Sequence, residues 1–544
     1  MGSSRVYLVL AIWFSGRLLF GQIGLGRPGE QSSSARHPVT GTVVNASTGE
    51  PLRRALVTLD GQNAAFTDTA GNFSMDNVPD GRYSVRCQKP GFFAPNEQGG
   101  NWANQQVTVS AAAQPVTLKL VPAASIVGRV VDGQGQPIEN ATVQMSSNII
   151  VNGFRRSMLS NSVNTDEDGN YEIENVQPGT YRLRLNMHEV PPFAAVSTVM
   201  RTKMPVEVYP AQYYPEASDA SAAQPIVLAA GQTEHADFTR NAVPGFRVRG
   251  TVSPVKMGTF IRAENAGGDD MGTGVMADLR TGEWTLPALP SGTWIILAIS
   301  SDQRGQLMGE QALAVDNGDI TNIRLQLLPA TTIPVQISNS AGGSPSNVQL
   351  RLVGDSGSGQ GEYQASYSPP PEPANTGGKT SALSFMNVRA GHYDLRAQVF
   401  GTGCLDSVRY AGADAGREGL TVSPNGGTSP VEVVLRQDCA TIQVRLNRPA
   451  RSKSVSVLLL SDNPIFDPRV VNMTGEGPVN LPNLSPGNYR LYAFDDVANL
   501  EYGNPDAMRS FTAKELTLDP KQSAEVTLDV TERSADRSTS NGAP

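Results

Sequence analysis

The stretch that decides the fold is Asp68-Thr-Ala-Gly71-Asn-Phe73-Ser-Met75-Asp-Asn77-Val78-Pro-Asp-Gly81-Arg-Tyr83-Ser-Val85. Asp followed by Gly supplies a tight turn, because Gly accepts positive φ and Asp bonds its own backbone. Phe73 and Met75 then alternate with polar residues, as one buried face of a strand requires. Asn77-Val78-Pro-Asp-Gly81 turns the chain again, and Tyr83 and Val85 begin a second alternating strand.

The phrase returns as Asp166-Glu-Asp168-Gly169-Asn-Tyr171-Glu-Ile173-Glu-Asn175-Val176-Gln-Pro-Gly179-Thr-Tyr181-Arg-Leu183. Weaker copies run through Gly282, Trp284, Gly292 and Trp294, through Phe385, Asn387, Gly391 and Tyr393, and through Leu481, Asn483, Gly487 and Tyr489. The Gly-x-aromatic steps fall at 81, 179, 292, 391 and 487, a cadence of about one hundred residues. Opening strands precede the phrase at Gly41-Thr-Val43, Gly128-Arg-Val130, Gly250-Thr-Val252, Val335-Gln-Ile337 and Ile442-Gln-Val444. Closing strands follow it, as at Val116-Thr-Leu118 and Val526-Thr-Leu528. Short strands with turns every 8 to 12 residues, about seven to a unit, predict an all-β tandem array of about five Greek-key β-sandwiches, prealbumin-like or Ig-like.

These residues resemble the carboxypeptidase regulatory-like domain, through Gly-x-Val, Gly-x-Pro-Leu/Ile (Gly49 to Leu52, Gly135 to Ile138), Ala-x-Val (Ala55, Ala141), Asp-x-x-Gly-x-Phe/Tyr and Asn-Val-x-x-Gly-x-Tyr. The match covers 38–121 and 123–240 fully and 244–329, 330–437 and 438–531 in part. Tyr209-Pro-Ala-Gln-Tyr213-Tyr214-Pro215, followed by Ala230-Gly231-Gln232, is similar to a phrase of multi-domain exported bacterial proteins of this type. The resemblance implies a prealbumin-like, carbohydrate-binding-like fold and a non-catalytic accessory module, without naming a ligand.

The expected organisation is a signal peptide at 1–21, a disordered linker at 22–37, sandwiches at 38–122, 123–243, 244–329, 330–437 and 438–531, and a disordered tail at 532–544. The leader reading rests on Arg5 followed by the short apolar run Val6 to Phe14, too short to span a bilayer stably. It predicts export to the periplasm, the outer surface or the medium, with no membrane span after cleavage. Short joints at Val121-Pro122 and Leu328-Pro329 predict a semi-rigid string of sandwiches.

Composition narrows the function. The 544 residues carry 43 basic and 51 acidic side chains, a net charge of -8, which argues against nucleic acid as a partner. With 54 Gly and 38 Pro, long helices are disfavoured. None of His37, His188, His235 and His392 has Glu three residues on, and His188-Glu189 runs into Val-Pro-Pro, so zinc-peptidase patterns are missing. Gly354-Asp355-Ser356-Gly357 lacks the context of a catalytic triad, and Gly24 to Gly29 lacks a βαβ unit. Asn164-Thr-Asp166-Glu-Asp168-Gly169 starts like a calcium loop but has Asn175 in the twelfth place, where a bidentate acid belongs. The sequence therefore assigns no catalytic residue, no metal ligand and no cofactor.

Cys87 alternates with Tyr83 and Val85 and reads as a small buried hydrophobe, whereas for Cys404 and Cys439 a bridge and two free thiols remain equally open. Two readings fit Phe92, Phe93 and Trp102, in a Gly/Asn/Gln-rich loop, and Tyr209, Tyr213 and Tyr214, in a long polar connection. Either the rings cover sandwich edges and junctions, or they stack on sugars while neighbouring amides bond hydroxyls. The resulting expectation is a non-catalytic exported binding or scaffold protein of the cell envelope, with polysaccharide or an envelope protein as partner; the alternative is a dedicated polysaccharide-binding protein assisting secreted hydrolases.

Overall fold

The structure is a computed structural model that describes residues 35–61, 63–95, 103–189, 206–265, 270–302, 305–341, 347–354, 362–367, 383–423, 429–447, 454–473, 475 and 477–533. The described chain is built of β-strands, with two single-turn helices, Ala415–Glu418 and Pro505–Met508. Eleven sheets form five sandwiches and one small joining sheet. Residues up to Val121 make one compact unit, the first sandwich, and residues from Pro122 onward make a second unit holding the other four. The first strand, Arg36–Asn45, starts inside the segment expected to be linker.

In the first sandwich one sheet carries Asn72–Pro79, Arg36–Asn45, Val116–Pro122 and Phe92–Phe93, and the other carries Asn63–Phe66, Leu56–Leu59, Gly81–Gln88 and Ala103–Val109. The opening strand pairs in parallel with the closing strand, and the same parallel pairing recurs in all five sandwiches. That close approach explains the opening glycine: a Cβ at Gly41 would collide with the Val116 carbonyl and the Phe73 ring, and one at Gly128 with the Ala236 carbonyl. Val43, Val57, Phe73, Met75, Val85 and Cys87 fill the core between the sheets.

The repeated phrase is a crossing rather than a hairpin. Asn72–Pro79 and Gly81–Gln88 lie in opposite sheets, and so do the corresponding strands of the other four sandwiches. Asn77, Asn175, Asn387 and Asn483 adopt positive φ of 54 to 60°, each at a one-residue register shift where two residues oppose one on the paired strand. Asparagine tolerates this left-handed conformation better than branched residues do, so the bulge that bends the chain toward the other sheet selects it.

The aromatic after the glycine closes the crossing. Tyr83, Tyr181, Tyr393 and Tyr489 donate their hydroxyls to the carbonyls of Pro79, Gln177, Arg389 and Ser485 at 2.6 to 2.9 Å. Trp294 donates its ring N–H to Pro290 at 3.0 Å in the third sandwich. Each ring thus packs in the core while its polar tip ties down the carbonyl four residues back. Burial pushes the Tyr489 phenol up to about 12. Tyr489→Phe is expected to lower stability by about 1 kcal/mol, the worth of one buried hydrogen bond, measured by denaturant unfolding.

Candidate functional site

The aromatic candidates of the second sandwich are turned inward. Strands Val206–Tyr209 and Gln212–Tyr213 draw the predicted polar connection into the sandwich, leaving Tyr209 6% and Tyr213 7% exposed. Tyr214 is half-buried, edge-on to Phe238 at 5.6 Å. At their centre lies Arg240, 1% exposed, whose Nη2 donates to the carbonyls of Asn186, Tyr209 and Pro210 and whose guanidinium sits 5.2 Å from the Tyr209 ring centre. Burial lowers its pKa to about 10. Tyr209 thus packs against Arg240, and the Tyr213 ring centre lies 5.9 Å from the Arg184 guanidinium, so both rings cover the sandwich. In the first sandwich Phe92 and Phe93 are half-buried, with Lys89 Nζ 5.9 Å from the Phe92 ring centre. Trp102 lies outside the described residues.

The remaining chemical candidates are occupied by structural bonds. Asp166 Oδ1 accepts the backbone N–H of Asp168 and Asn170, as Asp68 does for Ala70 and Asn72, so the calcium-like loop serves as the turn between sheets. Among the described residues no cluster of three His, Cys, Asp or Glu could hold a metal. His37 faces Asp80 at 3.4 Å and His392 faces the Thr421 hydroxyl at 3.1 Å, in different sandwiches. Cys87 is fully buried, and burial pushes its thiol up to about 12, where it stays protonated and unreactive.

The unusual chemistry lies at the joints of the second unit. Between its first two sandwiches, strands His188–Glu189 and Val206–Tyr209 share a four-stranded sheet with Val243–Phe246 and Leu289–Pro290 of the next, and Met187 enters that neighbour's core. At the following joint Arg389 reaches Glu264 at 3.1 Å and Glu310 at 3.3 Å, and Glu264, 2% exposed, also holds Arg262 at 2.6 Å. Burial disfavours charge on Arg389, but the two carboxylates outweigh it and raise its proton affinity.

Fourth and fifth sandwiches interlock. Ile465, 1% exposed, and Phe466, both from the loop after strand Val455–Ser461, enter the core of the fourth. Ala397 N–H bonds the Ile465 carbonyl at 2.9 Å, Arg396 reaches the Pro464 carbonyl, and Arg351 pairs with Asp467. Ser485 Oγ donates to the Leu405 carbonyl at 2.7 Å, and Cys404 and Cys439 form a disulfide with Cα atoms 5.8 Å apart.

The second sandwich also touches the fifth. Its long hairpin, strands Thr142–Val151 and Phe154–Asn164, brings Gly153 against the Tyr502 ring, where a Cβ would collide. Gly503 N–H donates to the Gly153 carbonyl at 2.8 Å, Arg155 pairs with Glu501, and Phe154 lies 5.4 Å from the Arg396 guanidinium. This contact corrects the expectation of a string in which each sandwich meets only its neighbours. With Arg155 57% exposed, its ion pair is worth about 0.5 kcal/mol, so packing of Gly153 on Tyr502 carries the clasp. Gly153→Val, at φ +82° and against that ring, is expected to open it and speed tryptic cleavage at Arg155 and Arg156 by about tenfold or more.

Two hollows flank the hairpin tip. One, of about 410 Å3, lies between the fourth and fifth sandwiches; the other, of about 590 Å3, lies beside Phe154, Arg156, Arg351 and Glu362. Asn152 and Asp467 line both. Sequence reasoning missed these joints, since only the Cys404/Cys439 pair marked one of them.

The fold defines a protein of tandem β-sandwiches. Its residues 38–121 and 125–240, which span the first two sandwiches, match the carboxypeptidase regulatory-like domain family. No curated protein matches the chain. Among solved structures it is similar to GBS52, the minor pilin of Streptococcus agalactiae, at 13% identity and a TM-score of 0.20, over 38% of this chain and 97% of that one. A streptococcal ancillary pilin is similar at 12% identity and a TM-score of 0.18, over 54% and 100% of the two chains. Shaft pilin SpaA from Lactobacillus rhamnosus GG is similar at 11% identity and a TM-score of 0.20, over 38% and 98%. At such scores the likeness identifies neither a partner nor an assembly. No helix among the described residues is long and apolar enough to cross a membrane.

Proposed function

We propose that the protein is a non-catalytic exported scaffold of the cell envelope, whose four interlocked sandwiches hold a binding surface in fixed geometry. The observation that carries this reading is the insertion of Ile465 and Phe466 into the neighbouring core, reinforced by a disulfide across the same joint. A freely jointed array needs no such insertion, and a disulfide fits an oxidising compartment outside the cytoplasm. Purified protein offered peptide, ester and glycoside substrates is expected to turn over none, and to co-sediment with isolated cell-envelope fractions. Turnover of any of them, or no retention by the envelope, defeats the reading.

A further inference from the structure

The hollow of about 410 Å3 between the fourth and fifth sandwiches is within the size range of small-molecule sites, about 300 to 1,000 Å3. Its wall brings together three kinds of group. Phe400, 44% exposed, and the half-buried Phe466 supply aromatic surface. Asn152, Gln398 and Asn483 supply carboxamides, all on exposed residues, from the hairpin tip, the fourth sandwich and the fifth. Arg469 supplies a positive charge.

Arg469 differs from the other joint arginines. Arg351, Arg389 and Arg436 each pair with carboxylates, whereas no carboxylate of the described residues pairs with Arg469, whose Nη1 donates to the Pro482 carbonyl at 3.1 Å. Partial burial without a counter-charge lowers its proton affinity, the reverse of Arg351, where Asp467 and Glu362 outweigh burial. Asp467 also lines the hollow, but its charge is answered by Arg351. The cavity thus holds one cation in want of an anion, beside amides that can donate and accept and rings that offer a flat apolar face.

We propose that this hollow is a binding site for an acidic sugar, a uronic acid residue whose carboxylate pairs with Arg469, whose hydroxyls bond the carboxamides of Asn152, Gln398 and Asn483, and whose ring lies against Phe400. The combination selects this class. A neutral sugar leaves the guanidinium unanswered, and a simple inorganic anion makes no use of rings and amides placed around it. Because Asn152 is delivered by the hairpin tip, the site is complete only with the clasp closed. The proposal goes beyond the scaffold reading and does not depend on it: the joint stays locked whether or not the hollow is filled.

The test titrates trigalacturonate and its methyl ester into the full chain by calorimetry. The acid is expected to bind at least about tenfold more tightly than the ester, the worth of one charge-assisted pair. Arg469→Gln should abolish that preference, with thermal unfolding of the variant reporting separately on the lost bond to the Pro482 carbonyl. Phe400→Ala should weaken acid and ester alike by about tenfold, while Phe66→Ala, at an exposed ring of the first sandwich, should change neither. Equal binding of acid and ester, an acid preference that survives Arg469→Gln, tighter binding of an acidic tripeptide than of trigalacturonate, or no binding of either sugar at millimolar concentration overturns the proposal. Retention by envelope fractions in the Arg469→Gln variant would then leave the scaffold reading standing and reject the sugar site alone.

Discussion

Replacing Cys404 and Cys439 together by serine is expected to lower the stability of the fourth sandwich by about 4 kcal/mol. The bridge closes a 35-residue loop, and the chain entropy that such a closure removes from the unfolded ensemble corresponds to about that figure at 25 °C. It also fastens strand Cys404–Tyr410 beside the start of the fifth sandwich at Ala440–Asn447. Denaturant unfolding of the double variant should show one transition displaced to lower concentration, and reduction of the wild-type protein should reproduce the shift. A change below about 1 kcal/mol would assign the joint's strength to Ile465 and its neighbours, which would keep the sandwiches together without the bridge.

The second large effect is expected at Arg389. Replacing it by alanine leaves Glu264 buried with Arg262 as its remaining partner and strands Glu310 at the joint. Breaking one partner of a buried ionic cluster costs about 3 to 5 kcal/mol, and retention of Arg262 puts this case near the lower end. Protease cleavage in 327–331, the segment joining the third and fourth sandwiches, should accelerate with it. Arg389, Glu264 and Arg262 replaced together by methionine should recover most of the lost stability, because an apolar cluster of similar volume leaves only Glu310, 36% exposed, as a charge at the joint. A triple variant as weak as the single one would show that the arginine acts through its packing.

Much of the sandwich architecture was legible because it is written locally. Period-two alternation at Phe73 and Met75, turns at Gly71 and Gly169 and the Gly-x-aromatic step each follow from neighbours in sequence. The reason for the step was not legible: that the Tyr489 or Trp294 polar tip bonds a carbonyl four residues back shows only once the strands lie in opposite sheets. The joints were less legible still. Ile465 reads as one apolar residue in an Asn/Asp/Pro loop, and nothing near it in sequence says that its pocket belongs to another sandwich. Gly153 reads as a hairpin glycine, which it is, but Tyr502 lies far along the chain. The tyrosines at 209 and 213 left two readings open for the opposite reason, since their polar neighbours fit a surface loop as well as a covered edge, and two short strands fold them under.

The clasp between the second and fifth sandwiches is the feature on which a fixed scaffold geometry most depends, and amide hydrogen exchange at Gly503 reports on it directly. That N–H bonds the Gly153 carbonyl and is covered when the hairpin is seated. In the full chain it is expected to exchange at least about a hundredfold more slowly than an open loop amide, and to lose that protection in the Gly153→Val variant. Exchange at the open-loop rate in the unmodified protein would mean that the hairpin is not seated and that the sandwiches are not held as one body.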